Sequence, residues 1–183
     1  SYLPNFVSWV VVVQLMTTIF TPYGGIFNDI RQMMGKEAIF VMGEKNAFLP
    51  LVIFSDLWKN VGWGSIVYLA AITGVDQELY EAASIDGANG FQKFFHMTLP
   101  LLKPIILFTT INSTIGTLQL FDEPMNITQG GPANSTITIS QYIYNLLFKY
   151  QPNFGYAAAV SYVIVVLIVV LSFIQMKVGD KDE

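Results

Sequence analysis

The side chains able to do proton or metal chemistry are few and badly placed for it. His96 is the only histidine and there is no cysteine, so no cluster of soft or imidazole ligands exists to hold a metal. His96 reads as a solvated or interface residue rather than a ligand or base. Asp122 and Glu123 are adjacent; neighbouring side chains on an extended or helical backbone point apart, so they do not face each other across a cleft as an acid–base pair. The Gly35-Lys36 pair is followed by Glu37 and lacks the earlier glycine of a phosphate-binding loop. No enzyme is indicated, and neither a cofactor nor a metal site is expected in this chain. Asn126-Ile127-Thr128 and Asn134-Ser135-Thr136 have the spacing of glycosylation acceptors and are read as chance matches.

What remains is the chemistry of recognition. Thr109, Asn112, Ser113, Gly116, Thr117 and Gln119 include i, i+3 and i+4 neighbours within an apolar stretch. Amides and hydroxyls such as Asn112, Ser113 and Gln119 suit the hydroxyls of a polar solute. Trp63, Tyr68 and Tyr162 can offer aromatic faces to its C–H surface. These six are the expected substrate-pathway residues. The competing reading is helix–helix contact, for which small and hydroxyl residues serve equally well. Tyr156, Ser161 and Tyr162 stand between lining the pathway and anchoring a helix end at an interface. Asp56 with Lys59 or Asn60 stands between a functional intramembrane pair and a place at the outer rim.

The elements that must position these groups are long and apolar. The 183 residues are 53% hydrophobic and only 12% charged, against the ~25% charge usual for soluble domains. The net charge of −4 argues against nucleic acid, whose counterions a basic face must displace. Four apolar segments stand out: Leu3 to Phe20, about Phe48 to Val75, Leu99 to Phe121, and the uncharged run Phe154 to Met176. Crossing the ~30 Å core of a bilayer takes ~20 mostly apolar residues. In lipid the backbone must satisfy its own hydrogen bonds, so the segments are helices. The expectation is an all-α polytopic membrane domain over 1–183, spanning at 3–20, 50–75, 101–121 and 154–176. The stretches 21–47 and 122–153 are loops on one side. The stretch 76–100 and the charged tail lie on the other. Lys93, Lys103, Lys177 and Lys181 on one side against Arg31, Lys36, Lys45, Lys59 and Lys149 on the other leave the orientation open by charge. The chain begins at Ser1 and runs straight into an apolar stretch, so the expectation is that an N-terminal portion is missing.

The connection 76–100 has a defined local grammar. Asp76 sits where an N-cap sits, with Glu78 and Glu81 near the positive end of the helix it starts. Gly87 suits the left-handed residue that ends a helix. Asn89 caps a second short helix, Gly90 to Met97, and Pro100 falls in the first turn of the next membrane segment. The result is helix, tight break, helix, membrane: an elbow that transmits a push.

This stretch resembles the EAA loop of ABC importer permeases. Glu81-Ala82-Ala83, then Gly87, then Leu99-Pro100 fall at that family's spacing, and Met97 stands where isoleucine is usual. The surroundings Glu78-Leu79-Tyr80, Ile85-Asp86-Gly87-Ala88, Phe121-Asp122-Glu123, Thr128-Gln129-Gly130-Gly131-Pro132 and Tyr142-Ile143-Tyr144 resemble the sugar-uptake branch. The resemblance covers essentially the whole chain and is similar to the last four of six core helices in the first membrane subunit of maltose-type transporters. It implies a multi-pass subunit of the bacterial cytoplasmic membrane with the loop 76–100 inside. It implies two ATPase subunits carrying ATP-Mg, a second permease and an extracytoplasmic solute-binding protein; the outer Asp122–Pro132 region stands between a contact for that protein and a plain connecting loop. The cargo implied is a sugar, an oligosaccharide by preference. Tyr80, Glu81, Ala82, Ala83, Asp86 and Gly87 are the residues implied to couple to the ATPase. The same machine carrying another polar solute, such as a glycerol phosphate, is the alternative. An ion-coupled carrier would want carboxylates on several membrane helices, and apart from Asp56 they are missing; a scaffold without transport would leave the loop spacing unexplained.

Overall fold

A computed structural model describes residues 2–131 and 133–180. Pro132 of the Gly-Gly-Pro turn and the tail beyond Asp180, with Lys181, lie outside the described residues. Within them the chain is all-α. In chain order the helices are α1 (Trp9–Phe20), α2 (Ile26–Met33), α3 (Lys45–Thr73), α4 (Gln77–Ile85), α5 (Gly90–Lys93), α6 (Leu99–Leu101), α7 (Lys103–Leu118), α8 (Asp122–Ile127), α9 (Ile139–Tyr144) and α10 (Phe154–Asp180). Two stretches, Lys103–Ile127 and Phe154–Gly179, are long and apolar enough to cross a membrane. At 29 residues, α3 is about 43 Å long, but it carries Asp56 and Lys59. α1 has 12 residues and reaches about 18 Å, less than the ~30 Å core.

The chain divides into two compact units. One comprises residues up to Gly62 with Leu118–Val163; the other comprises Trp63–Thr117 with residues from Ile164 onward. The first unit holds the buried core: Val12, Val13 and Met16 of α1 with Leu51 and Val52 of α3 and Ile127 of α8. α1 starts later than its apolar run does. Pro4 lies in a 3₁₀ turn over Leu3–Phe6, and the Ser8 side chain accepts from the Val11 N–H to begin the helix.

The stretch 21–47, expected as a polar loop, contains α2 and a 3₁₀ turn. The reason is Asn28, fully buried. Its amide donates to the carbonyls of Phe20, Thr21 and Ile39 at 3.3, 2.9 and 3.0 Å, and its Oδ1 accepts from the Ile39 N–H at 2.9 Å. One side chain thus ties the end of α1 to α2 and to the strandless run after it. An eight-residue helix is marginal alone, and this clamp supplies what propensity lacks. The stretch 122–153 likewise folds into α8, α9 and a widened turn over Asn145–Lys149, with Gln141 and Asn145 buried.

In the second unit α7 is held to its neighbours by polar pairs. Tyr68 of α3 meets Thr109 at 2.6 Å, and Gln175 of α10 donates to Thr114 at 2.8 Å. Gly179 permits close approach: a Cβ there would stand 2.6 Å from the Leu107 side chain. Leu102 and Thr98 are its buried residues, while Val165, Val166, Val169, Val170, Phe173 and Ile174 along α10 are exposed. A helix that leaves this much apolar surface bare belongs against lipid or other helices.

The clamp gives a direct expectation. Asn28→Ala leaves the Ile39 N–H and three carbonyls without their partner, and each buried orphan costs about 1–3 kcal/mol. In detergent the variant should melt several degrees below the parent, with faster proteolysis in 34–40. An unchanged melting temperature and cleavage rate would show that Asn28 is not what orders this stretch.

Candidate functional site

The elbow is built locally. The Asp76 carboxylate accepts from the Glu78 N–H at 3.0 Å, starting α4. α4 ends in a left-handed residue, Gly87, with φ +80°. The Gly87 N–H donates to Ser84 O at 3.1 Å and the Ala88 N–H to Ala83 O at 2.9 Å, the paired bonds of a Schellman cap. Asn89 then caps α5: its side chain accepts from the Gln92 N–H at 3.0 Å, while the Gln92 side chain accepts from the Asn89 N–H at 2.8 Å. The Asn-x-x-Gln spacing is itself the signal of this reciprocal box, a feature the sequence reading used only by half.

Beyond α5 the structure corrects the expectation of a fresh start at Pro100. Helical backbone continues from Gly90 through a widened π turn at Phe94–Thr98, through α6 and into α7. Pro100 lies inside this run. It has no N–H to give to the turn before it, and the Leu99 N–H bonds back to Phe94 O, so the wider turn absorbs the missing donor. The elbow therefore has its corner at Gly87, and its second arm runs on into α7 with only the turn residue Leu102 between α6 and α7.

Two side-chain contacts close the angle between the arms. The Tyr80 hydroxyl meets Thr98 Oγ1 at 2.8 Å, and Thr98 is buried. Lys93 Nζ donates to Ser84 Oγ, which in turn donates to the Tyr80 carbonyl at 2.7 Å. The pairings of Thr98 with Tyr80 and of Lys93 with Ser84 are not legible in the sequence: contacts across 18 or nine positions leave no periodic trace. Of the expected coupling residues, Tyr80 faces inward to this brace. Glu81, Ala82, Asp86 and Gly87 are exposed and Ala83 is half-buried. Ile85 beside them is 87% exposed, a large apolar side chain in open contact with whatever lies outside. His96 stays on the exposed side, its Nδ1 3.1 Å from Gln92 O, away from any metal-ligand cluster among the described residues.

The polar stripe on α7 splits in two. Thr109 and Thr114 are used in the contacts to Tyr68 and Gln175. Asn112, Ser113 and Thr117 are exposed; Asn112 donates to Phe108 O at 2.9 Å and Thr117 to Ser113 O at 2.8 Å. Tyr68 is thus brought to the stripe through Thr109, and Trp63, on the same helix as Tyr68, is exposed. Gln119 and Tyr162 belong to the first unit, both exposed.

The other charged residues singled out also lie in the first unit. Asp56 accepts from Asn60 at 2.6 Å, Asn60 accepts from Asn5 at 2.9 Å, and Lys59 donates to Asn5 O at 2.6 Å. Asp122 is exposed and Glu123 buried, so the adjacent carboxylates do part company. Tyr156 and Tyr142 stack edge to face at 6.4 Å, and Ser161 donates to its own helix at Ala157 O.

The family described as binding-protein-dependent transport system inner membrane component matches residues 1–179. The lactose transport system permease protein LacF of Rhizobium radiobacter is 47% identical over 95% of this chain and 59% of its own length. The polygalacturonan/rhamnogalacturonan transport system permease protein YteP of Bacillus subtilis is 37% identical over 87% of this chain and 50% of its own length. In the crystal structure of a bacterial ABC transporter involved in import of the acidic polysaccharide alginate, one chain matches with a TM-score of 0.89 and 30% identity, over 98% of this chain and 63% of that one. The chain thus spans about half to six-tenths of the length of these relatives. It belongs to the binding-protein-dependent transport system inner membrane component family.

Proposed function

We propose that this chain is the membrane part of an ATP-driven importer that carries a sugar, an oligosaccharide by preference, into the cytoplasm. It crosses the bacterial cytoplasmic membrane several times, with the elbow 76–100 on the inner face. Separate ATPase subunits holding ATP-Mg press on the elbow, and a second permease completes the pathway. An extracytoplasmic solute-binding protein delivers the cargo. The sugar reading is supported by LacF and YteP, whose names give lactose and polygalacturonan/rhamnogalacturonan as what their transport systems carry. A receptor is supported by the alginate transporter crystallised with a pentasaccharide-bound periplasmic protein.

The observation that carries the mechanism is that the second arm leads into α7 with a single turn residue, Leu102, on the way. A load on exposed Glu81, Ala82, Ile85 and Asp86 passes through the Tyr80–Thr98 brace into α6 and, across the single turn residue Leu102, into α7. α7 bears Asn112 and Ser113, so a tilt of the arm moves the expected pathway face. Glu81 is placed to pair with a basic ATPase residue, and small Ala82 lets the helix lie close against a groove wall.

Gly87→Pro tests this coupling. Proline fixes φ near −65° and cannot take the +80° observed. Uptake in membrane vesicles should fall to background while ATP hydrolysis persists without cargo and the protein remains in the membrane. Cysteines at Ser84 or Ile85 should crosslink to the ATPase subunit. Wild-type uptake by Gly87→Pro, or labelling of Ile85 from outside the cell, would sink the coupling role.

The pathway face has its own test. Asn112→Leu keeps the size of the side chain and removes its hydrogen bonding, each such bond contributing about 1 kcal/mol. The apparent KM for cargo should rise about fivefold, with cargo-independent ATPase activity unchanged. Unaltered uptake kinetics would assign Asn112 to the outer wall of α7 instead.

A further inference from the structure

The charges of the elbow are sorted by its corner. From Asp76 to Gly87 the chain carries the acids Asp76, Glu78, Glu81 and Asp86 and no base. From Ala88 to Leu118 it carries the bases Lys93, His96 and Lys103 and no acid. Neither arm neutralises itself. An anionic surface repels the first arm and attracts the second, so one negatively charged partner decides which arm faces it.

The second arm also bears an open apolar face. Phe94 and Phe95 are exposed and meet edge to face, their ring centres 5.1 Å apart. Leu99, a turn on, and Leu101 are exposed as well. The groups between them are tied to the elbow itself. Lys93 donates to Ser84 Oγ, and buried Thr98 meets Tyr80. Lys93 keeps two of its three donors after that bond.

Depth identifies what meets this face. From Leu99 to Leu118, the last residue of α7, the run covers about 30 Å, the thickness of a bilayer core. With the run along the bilayer normal, Phe95 lies about 6 Å beyond that core. The headgroup layer is ~5–7 Å deep on each side, so the Phe94–Phe95 pair stands within it. Lys103 lies one turn inside the core and is exposed, and a lysine stem is long enough to reach the same layer. The start of α5, at Gly90, lies about 14 Å beyond the core, which leaves α4 and its acids in water.

We propose that the second arm is a membrane anchor. Phe94 and Phe95 insert among the headgroups of the inner leaflet, and Lys93, His96 and Lys103 select anionic phospholipid there. The same surface repels the acids of α4 and so holds the first arm out where a soluble partner reaches it. The inference rests on the reading of the elbow as lying on the inner face, and it adds a lipid requirement to coupling.

The test uses the complete transporter in nanodiscs of equal parts phosphatidylcholine and phosphatidylglycerol. Phe95→p-benzoylphenylalanine should crosslink to phospholipid on illumination, with phosphatidylglycerol captured about twofold over phosphatidylcholine. The same replacement at exposed Phe91, about 12 Å beyond the core, should capture lipid about fivefold less. In vesicles, uptake by the parent should be about threefold faster with phosphatidylglycerol than with phosphatidylcholine alone, and added salt should narrow that ratio. The double variant His96→Gln with Lys103→Gln should bring the ratio close to one and keep the parent's rate in phosphatidylcholine. A crosslink from position 95 to the ATPase or the second permease in place of lipid would overturn the anchor and leave ATP-driven import standing. So would equal capture of the two lipids, or an unchanged ratio in the double variant. Labelling of Phe95→Cys by an impermeant maleimide from outside the cell would overturn the inner-face reading and the anchor with it.

Discussion

A helix carries load only while its hydrogen-bond ladder is unbroken, and every consequence of the elbow depends on where that ladder stops. It stops at Gly87. The left-handed φ there costs a glycine nothing and an L-residue with a Cβ about 1 kcal/mol or more. The two backbone bonds from Gly87 and Ala88 back into α4 turn the stop into a fixed corner. On the far side Asn89 and Gln92 cap each other, so neither arm frays at the corner. With Tyr80 on Thr98 the corner becomes a braced triangle: α4, the turn, and the run from Gly90. Without the brace the same sequence would be two short helices on a hinge.

The two units hold together by different means. In the first, a small apolar core is supplemented by buried amides, Asn28 above all, which take the place of the helix propensity that short elements lack. In the second, long helices expose most of their apolar surface. Burial between helices gives little advantage over lipid there. The contacts that remain are the ones lipid cannot replace: a hydroxyl on a hydroxyl at Tyr68–Thr109, an amide on a hydroxyl at Gln175–Thr114, and a glycine allowing close approach at Gly179.

Sequence carried the parts of this that are local. Asp76, Gly87 and Asn89 declared their roles because capping is settled within four residues, and the long apolar runs declared helices because no strand is so long. What it hid was settled at a distance. α2, α8 and α9 are short and weakly periodic, and their existence rests on bonds such as Asn28 to Ile39 that span 11 positions. Pro100 misled because proline is commonest in a first turn, whereas here a widened turn upstream lets it sit mid-run. The brace of Tyr80 on Thr98 and the approach of the Lys59 ammonium to the Trp9 ring join residues 18 and 50 apart; spacing rules do not reach so far.

The stripe on α7 shows why periodicity could name a face and not its task. Thr109 and Asn112 are three residues apart, yet one is spent on Tyr68 and the other is exposed. A group that lines a passage must meet two demands at once. It must not stand unsatisfied when the passage is empty, and its partner must be one it can give up. Asn112 meets both: its amide donates to the Phe108 carbonyl of its own helix, a carbonyl already serving as a helix acceptor. Exchanging that bond for one to a sugar hydroxyl breaks no tertiary contact. Exchanging the Thr109 bond would release α3 from α7. The same polar residue types therefore divide by what their hydrogen bonds hold up, and only those that hold up nothing else are free to handle cargo.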